Sequence, residues 1–398
     1  MSFNITVEGG TSVRLPTAGK YCDRDIVVTA EGGTPTPTQE KTVEITANGT
    51  VSVAPDEGYA LSKVTANVNV PIPEGYIQPS GTLEVTENGP HDVTEYVSVN
   101  VNVASGGEGL LDHYANSNVT TIATHAYSEC NSFRSVEFPN VTNIGDYAFA
   151  NCAELTTVSI PSATKIGRCS FLDCSKLTDA DFPLVTSMSP YAFHRCSNLT
   201  SVDFPLLTTI EWIVFAECTN LTSVNIPSAK IINPNAFQLC TNLATVNFPS
   251  VTSIGSSAFS GCVELTAADF PLVTSIDGSL FRNDANLTDV NFPLATSIGG
   301  SAFIYCTNLT AVDFPLVTSI EDYAFYGCTK LTALILRSET ICTLTGSNVF
   351  GGSTPISKRT GYIYVPSNLV EQYKSATNWS AYASQILAIE DYPEITGG

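Results

Sequence analysis

The chain has 398 residues, 43% of them hydrophobic and only 14% charged, and its 17 Lys plus Arg against 38 Asp plus Glu give a formal net charge of −21. Phosphate binding depends on Lys and Arg displacing counterions, so this balance argues against nucleic acid and anionic membrane as partners. Four histidines (His91, His113, His125, His194) supply little for acid–base or metal chemistry, and no apolar run approaches the roughly 18–20 residues of a membrane-spanning helix.

The first 104 residues read as β-structure. The N-terminus, MSFNITVEGG, has neither the basic nor the apolar stretch of a secretory leader, so the expectation is assembly in the cytosol. Three segments near 3–30, 41–71 and 80–104 share a strand–turn–strand plan. Their turns, Gly9-Gly10, Asn48-Gly49 and Asn88-Gly89, are hairpin signals. Alternation at Val64, Ala66, Val68, Val70 and at Val97, Val99, Val101, Val103 predicts half-buried strands. The expected division is a β-module at 1–33, a Thr/Pro linker at 34–40 (Thr34-Pro35-Thr36-Pro37-Thr38, stiff and extended), a second module at 41–73 and a third at 74–104. Units this small are marginal alone, so they are expected to pack on one another or on other subunits. The stretches ITVEGGTSVRLPTAGKYCDRDIVVTA and TVEITANGTVSVAPDEGYALSKVTANVNVP resemble short repeats in tail-associated structural proteins of phages and prophages. That resemblance implies virion or tail proteins, or further copies of this chain, as partners for residues 1–104.

A Gly-rich joint at 105–109 leads into a repeat. Cys130, Cys152, Cys174, Cys196, Cys218, Cys240, Cys262, Cys306 and Cys328 fall on one lattice of 22 residues, interrupted only by Asp284. Three residues after each node comes Leu (Phe133 in the first copy), and nine after comes Pro, from Pro139 to Pro315. An Ala-Phe pair recurs near the end of the unit, as in Ala148-Phe149 and Ala324-Phe325. Nine whole units fill 130–327, with a degenerate one on either side. Such a unit cannot bury its apolar face alone and must stack on its neighbours, so the period predicts a solenoid over 105–352 with one short strand per coil, ended by the Pro. The lattice cysteines are expected as buried free thiols, with Cys169 the most exposed thiol. A column with one Cys per coil offers no tetrahedral cluster for zinc.

These landmarks resemble the BspA-like, treponemal type of leucine-rich repeat. The resemblance implies an α/β-type repeat solenoid: a right-handed, parallel-β leucine-rich repeat of 22-residue units with a concave, strand-lined face. At about 4.8 Å per strand, ten or eleven coils would span roughly 50 Å. The end, 353–398, carries Leu369, Val370, Tyr373, Trp379, Tyr382 and Ile386 at helical spacing and is similar to the segment that closes such repeats, so a helical cap is expected there.

The candidate site lies on the outward strand positions. Asp181, Asp203, Asn225, Asn247, Asp269, Asn291 and Asp313, preceded by Glu137 and Ser159, form one column. The parallel column of Thr157, Asp179, Ser201, Ser223, Thr245, Ala267, Asp289 and Ala311 is small. Such a ribbon suits a glycan or peptide groove, and equally a solvated face that keeps strands soluble; a calcium ladder is a third alternative. A second candidate set is Tyr147, Tyr191, Trp212 and Tyr323, aromatic where other coils carry Gly or Ser, which are either recognition anchors or partly buried fillers. Acids recur coil after coil instead of forming one pair, and no nucleophile can be assembled around His194 and Arg195, so no catalytic residue, metal or cofactor is expected. The combined reading is a non-enzymatic adhesion protein, a phage tail component that binds a host cell-surface glycan or protein and is located in the virion. The alternative is a secreted or bacterial cell-surface adhesin.

Overall fold

The structure, a computed structural model, describes residues 113–352 and 354–393 with their side chains and, ahead of them, the backbone of eight strands between Phe3 and Asn100. From residue 113 onward it is a parallel-β solenoid of about twelve coils at the 22-residue spacing. All but one of the regular coils contribute a strand of three or four residues to one face, such as Ser135–Glu137, Thr157–Ser159 and Asp179–Asp181. A two-residue strand on a second wall follows, such as Asn143–Ile144 and Lys165–Ile166. Through the regular coils pairing joins a residue to the one 22 positions on: Ser135 to Thr157, Thr157 to Asp179, Ile144 to Ile166.

Every lattice position has a physical task. Val136, Phe138, Val141, Ile144, Phe149 and Leu155 are all buried, and their equivalents in later coils fill one continuous core. The Ala-Phe phenylalanines stack coil on coil from Phe149 to Phe350, with ring centroids 5.0–5.9 Å apart. The Ala-Phe turn stays tight because two residues four apart take left-handed backbone angles, for example Tyr147 and Asn151, or Tyr191 and Arg195. Threonine hydroxyls on the outside repeat the period, as when Thr178 donates to the Thr156 carbonyl at 3.1 Å and Thr288 to that of Thr266 at 3.1 Å.

The cysteine column also has a specific bond. Each thiol donates to the Ala-Phe carbonyl of the preceding coil: Cys174 to Phe149, Cys196 to Phe171 and Cys306 to Phe281, each at 3.0 Å. Cysteine here is a small apolar filler that also satisfies a buried acceptor. Cys152 and the later lattice cysteines are buried free thiols. Cys130 departs from that expectation, being disulfide-bonded. Cys169 departs from another: it is buried, because the coils on either side place Tyr147 and Tyr191 at the equivalent position. Burial pushes the Cys328 and Cys342 thiols up to about 12. At pH 8 both should therefore react with a disulfide reagent about a thousandfold slower than an exposed thiol, and become fully reactive on unfolding in denaturant. Fast native labelling at either position would contradict this packing.

The cap is less helical than the spacing of its apolar residues predicts. The only α-helix among the described residues, α1, runs Val370–Ser375, between short 3-10 turns at Ser367–Leu369 and Ser380–Gln385. The remainder extends the sheet: Tyr362–Val365 pairs in parallel with Ala333–Leu336, and Ile386–Ala388 adds one more strand. Trp379 plugs the last coil, its indole N–H donating to the Cys342 carbonyl at 2.6 Å, while the Cys342 N–H donates to the Tyr373 hydroxyl at 2.8 Å.

In the N-terminal part β1 (Phe3–Glu8), β2 (Thr11–Arg14), β3 (Asp25–Glu31), β4 (Thr38–Ile45), β5 (Thr50–Val53), β6 (Ala60–Val68), β7 (Thr82–Glu87) and β8 (Val97–Asn100) are formed. The expected hairpins are not. β1 pairs in parallel with β3 and with β5, β4 in parallel with β6, and β2 runs antiparallel to β7. The two sheets, ordered β5-β1-β3-β8 and β2-β7-β6-β4, draw strands from all three segments. β4 begins within the expected Thr/Pro linker. Val70, Val101 and Val103 of the predicted alternations lie outside the described residues.

Candidate ligand-binding surface

Alternation fixes the geometry of the face. In Ser201–Asp203 the central Val202 is buried and Ser201 and Asp203 are exposed; Asp289–Asn291 repeats the pattern around Val290. In-register pairing then stacks Asp203 on Asn225 and Asp269 on Asn291. The side chains bond along the column: Asn225 Nδ2 donates to Asp203 Oδ1 at 2.8 Å, Asn291 Nδ2 to Asp269 Oδ1 at 2.8 Å, and Ser159 Oγ to Asp181 Oδ2 at 3.4 Å. Asp313 is engaged differently. Arg337 Nε and Nη2 donate to its carboxylate at 2.6–3.0 Å, an ion pair the repeat pattern could not reveal because Arg337 lies where the lattice breaks down. Residues 245–247, which carry Asn247, are not in a strand, although Asn247 is exposed like its neighbours.

Among the described residues, shallow depressions lie on this face at two places. One of about 670 Å³ is lined by Glu137, Asp179, Asp181, Asp203 and Pro183 among others, with His113 at its rim. His113 lies 2.5 Å from Ser135 Oγ and 3.6 Å from Glu137. The other, of about 450 Å³, is lined by Asp269, Asp289, Asn291, Asp313 and the prolines Pro293 and Pro315. The sequence pattern located the column but not its division into two.

The second set of candidates is not brought together. Tyr147 and Tyr191 are half-buried; Tyr147 stacks on His125 with centroids 4.8 Å apart, and the Arg168 guanidinium lies 5.7 Å above the Tyr191 ring. Trp212 is 55% exposed, beside Tyr191 in the next coil. Tyr323 belongs to a separate cluster with Tyr326 and Tyr305, centroids 5.5 and 5.8 Å apart, which the sequence reading missed because those two tyrosines occupy other columns. Near Tyr191, His194 and Arg195 both contact Glu217, at 3.2 Å each. Burial works to raise the Glu217 pKa, but hydrogen bonds from His194 and Arg195 outweigh it and hold the carboxyl below its ordinary value. This is an ion-pair network with no serine or cysteine nucleophile in it.

Among the described residues no group of three or more His, Cys, Asp or Glu is placed to hold a metal ion, and no helix is long and apolar enough to cross a membrane.

No curated protein matches the chain. Solved structures similar to it include a leucine-rich cell-surface protein from Faecalibacterium prausnitzii, with 24% identity, a TM-score of 0.40 and coverage of 69% of this chain and 91% of that one. A leucine-rich repeat protein from Bacteroides ovatus is 23% identical with a TM-score of 0.37, covering 66% of this chain and 89% of that one. The T. pallidum leucine-rich repeat protein is 26% identical with a TM-score of 0.33, covering 50% and 86%. The family described as the BspA type leucine-rich repeat region matches residues 110–221, 208–332 and 274–378. With the 22-residue coils and their buried lattice positions, that match over more than half of the sequence places the chain in the BspA-type leucine-rich repeat family.

Proposed function

We propose that the chain is a non-enzymatic recognition protein that holds an extended surface ligand along its concave sheet. The observation that carries this is the outward column itself: lattice positions facing the core are buried or partly buried, whereas Asp181, Asp203, Asn225, Asp269 and Asn291 line up exposed and in register. Hydrogen bonds along the column hold these groups in fixed positions yet leave further acceptor sites open to a partner. The ligand is a glycan or protein on a host cell surface. Two settings fit. A cell-surface or secreted adhesin follows from the family. A phage tail, with residues 1–104 as the anchor, follows from the resemblance of that part to tail-associated repeats. The division into modules at 1–33, 41–73 and 74–104, a linker at 34–40, a solenoid at 105–352 and a cap at 353–398 belongs to the same proposal.

The test is retention of the fluorescently labelled full chain by a panel of Gram-positive gut bacteria and their purified wall material. Ser201→Arg with Ser223→Arg fills the middle of the sheet and is expected to reduce retention about tenfold, as blocking the centre of an interface does. Unchanged retention would move binding off this face, and no retention by any strain would reject adhesion. A trimer or higher assembly in solution favours the virion setting; a monomer favours the adhesin.

A further inference from the structure

Three columns of the solenoid change character together. After the outward strand positions of each coil comes a buried Phe or Ile, then Pro, then a residue that is Asn140, Ser162, Leu184, Leu206, Ser228, Ser250, Leu272, Leu294 and Leu316 in successive coils. The five leucines are all exposed, by 41–47%. Nothing in the fold requires them: where the position is serine the hydroxyl is tied down, Ser162 Oγ donating to the Pro139 carbonyl at 2.6 Å and Ser228 Oγ to that of Pro205 at 2.7 Å. The leucines occur in two islands. Beside Leu184 and Leu206 the strands carry Asp179, Asp181 and Asp203; beside Leu272, Leu294 and Leu316 they carry Asp269, Asp289 and Asp313. The two coils between have Ser228 and Ser250 next to Ser223, Asn225, Thr245 and Asn247, with no carboxylate. The two depressions overlap the acidic coils and abut the leucines through the preceding prolines, Pro183 lining one and Pro293 and Pro315 the other, although the first also extends over Ser135–Glu137 and Thr157–Ser159.

We infer that the concave sheet docks a basic extended polypeptide at two stations, each pairing a carboxylate cluster with a leucine ridge. The inference rests on the recognition reading above and specifies its ligand. Charge complementarity selects the partner. Among the described residues Arg337, paired with Asp313, is the Lys or Arg against these depressions, and it serves the second, so Asp179, Asp181 and Asp203 of the first station have no Lys or Arg bonded to them there. A neutral glycan would be served as well by the Asn and Ser of the middle coils, and it gains nothing from a leucine ridge. No outward strand position from 135 to 313 is aromatic, so the sheet also lacks the stacking platforms that favour sugars. From the coil of Leu206 to that of Leu272 is three steps, about 14 Å at the strand spacing, and nine extended residues reach about 30 Å, enough to touch both stations.

The probe is a labelled nine-residue alternating Lys-Leu peptide, titrated onto the full chain by fluorescence anisotropy beside Glu-Leu and Lys-Ser peptides and a neutral oligosaccharide. The Lys-Leu peptide is expected to bind at least tenfold more tightly than the others and to weaken about tenfold as salt is raised from about 50 to 500 mM. Leu272→Ser with Leu294→Ser and Leu316→Ser, and separately Asp179→Asn with Asp181→Asn and Asp203→Asn, are each expected to cost about tenfold in Kd, or about 1.4 kcal/mol. Leu239→Ser, an exposed leucine of a different column, is the control and should change nothing. Thermal melting of each variant confirms that it is folded. Equal binding of all peptides, or equal loss in the control and the ridge variants, overturns the inference. Cells retained without help from the ridge, by a protein that binds the oligosaccharide instead, would overturn it too while leaving recognition by the concave sheet intact.

Discussion

Replacing Asp284 by cysteine is expected to stabilise the solenoid, by about 2–3 kcal/mol at pH 8, the scale of one buried polar group left without partners. Asp284 stands at the one lattice node that lacks cysteine. It is fully buried, and neither carboxyl oxygen has a hydrogen-bond partner. The acceptor its thiol counterparts would reach, by the spacing of the column, is the Phe259 carbonyl. Burial drives the Asp284 pKa well above the ordinary carboxylate value; the nearby Gly261 and Cys262 backbone pulls the other way but does not reach bonding geometry. The folded-state pKa thus exceeds the unfolded one, and the sign follows. The contribution of the neutral acid is fully present below the unfolded pKa, about 3.9, and is lost as pH rises through the folded value. Urea unfolding of both proteins from pH 4 to 8 should show the gap between Asp284→Cys and the parent widening with pH. A gap that narrows as pH rises would mean the carboxylate has found a charged partner.

Trp379→Ala is expected to be the more damaging change, at about 3–5 kcal/mol for the lost ring and its cavity. The indole fills the end of the core, with its ring edge-on to Tyr373 at 5.2 Å and tilted against Phe350 at 6.2 Å, and its loss also leaves the Cys342 carbonyl without that donor. Trp379→Phe, which keeps most of the ring and loses only the N–H, should cost about 1–2 kcal/mol. A solenoid coil depends on its immediate neighbours, so the damage should begin at the end. Hydrogen exchange is then expected to show protection lost first in Ala333–Leu336 and Tyr362–Val365, with Ser201–Asp203 and Ser223–Asn225 unaffected. Uniform loss along the whole solenoid would show that the coils unfold as one unit and that the cap has no special role.

The regular part of this fold was legible because each coil obeys the same constraints. A 22-residue period with fixed Cys, Leu, Phe-Pro and Ala-Phe positions leaves one way to bury the apolar set, and the core follows it residue by residue. Legibility failed where neighbours from outside the lattice decide the outcome. Cys169 is covered by tyrosines two coils apart from each other; Asp313 meets Arg337, which follows a strand of the degenerate end; and the apolar residues of the cap alternate between a six-residue helix and two added strands. In the first hundred residues strand pairing is set by long-range partners that local turn chemistry does not encode, so the Gly-based hairpin signals did not predict which strands pair. The candidate column was readable from period-two alternation alone. The leucine islands were not, because a single exposed leucine is unremarkable and only its coincidence with acidic coils and the depressions gives it meaning.

Pairing between residues 22 apart through the regular coils has an evolutionary corollary. Excising residues 218–239 would join Glu217 to Cys240 at the same phase of the unit, so each surviving coil would meet a neighbour of the kind it already has. Such an excision would draw the two acidic, leucine-edged stretches together by one step, about 4.8 Å, and duplication of the same segment would part them by as much. Unequal recombination between coils can therefore act as a ruler, setting the spacing of contacts that a partner must match in whole increments while leaving each contact unchanged.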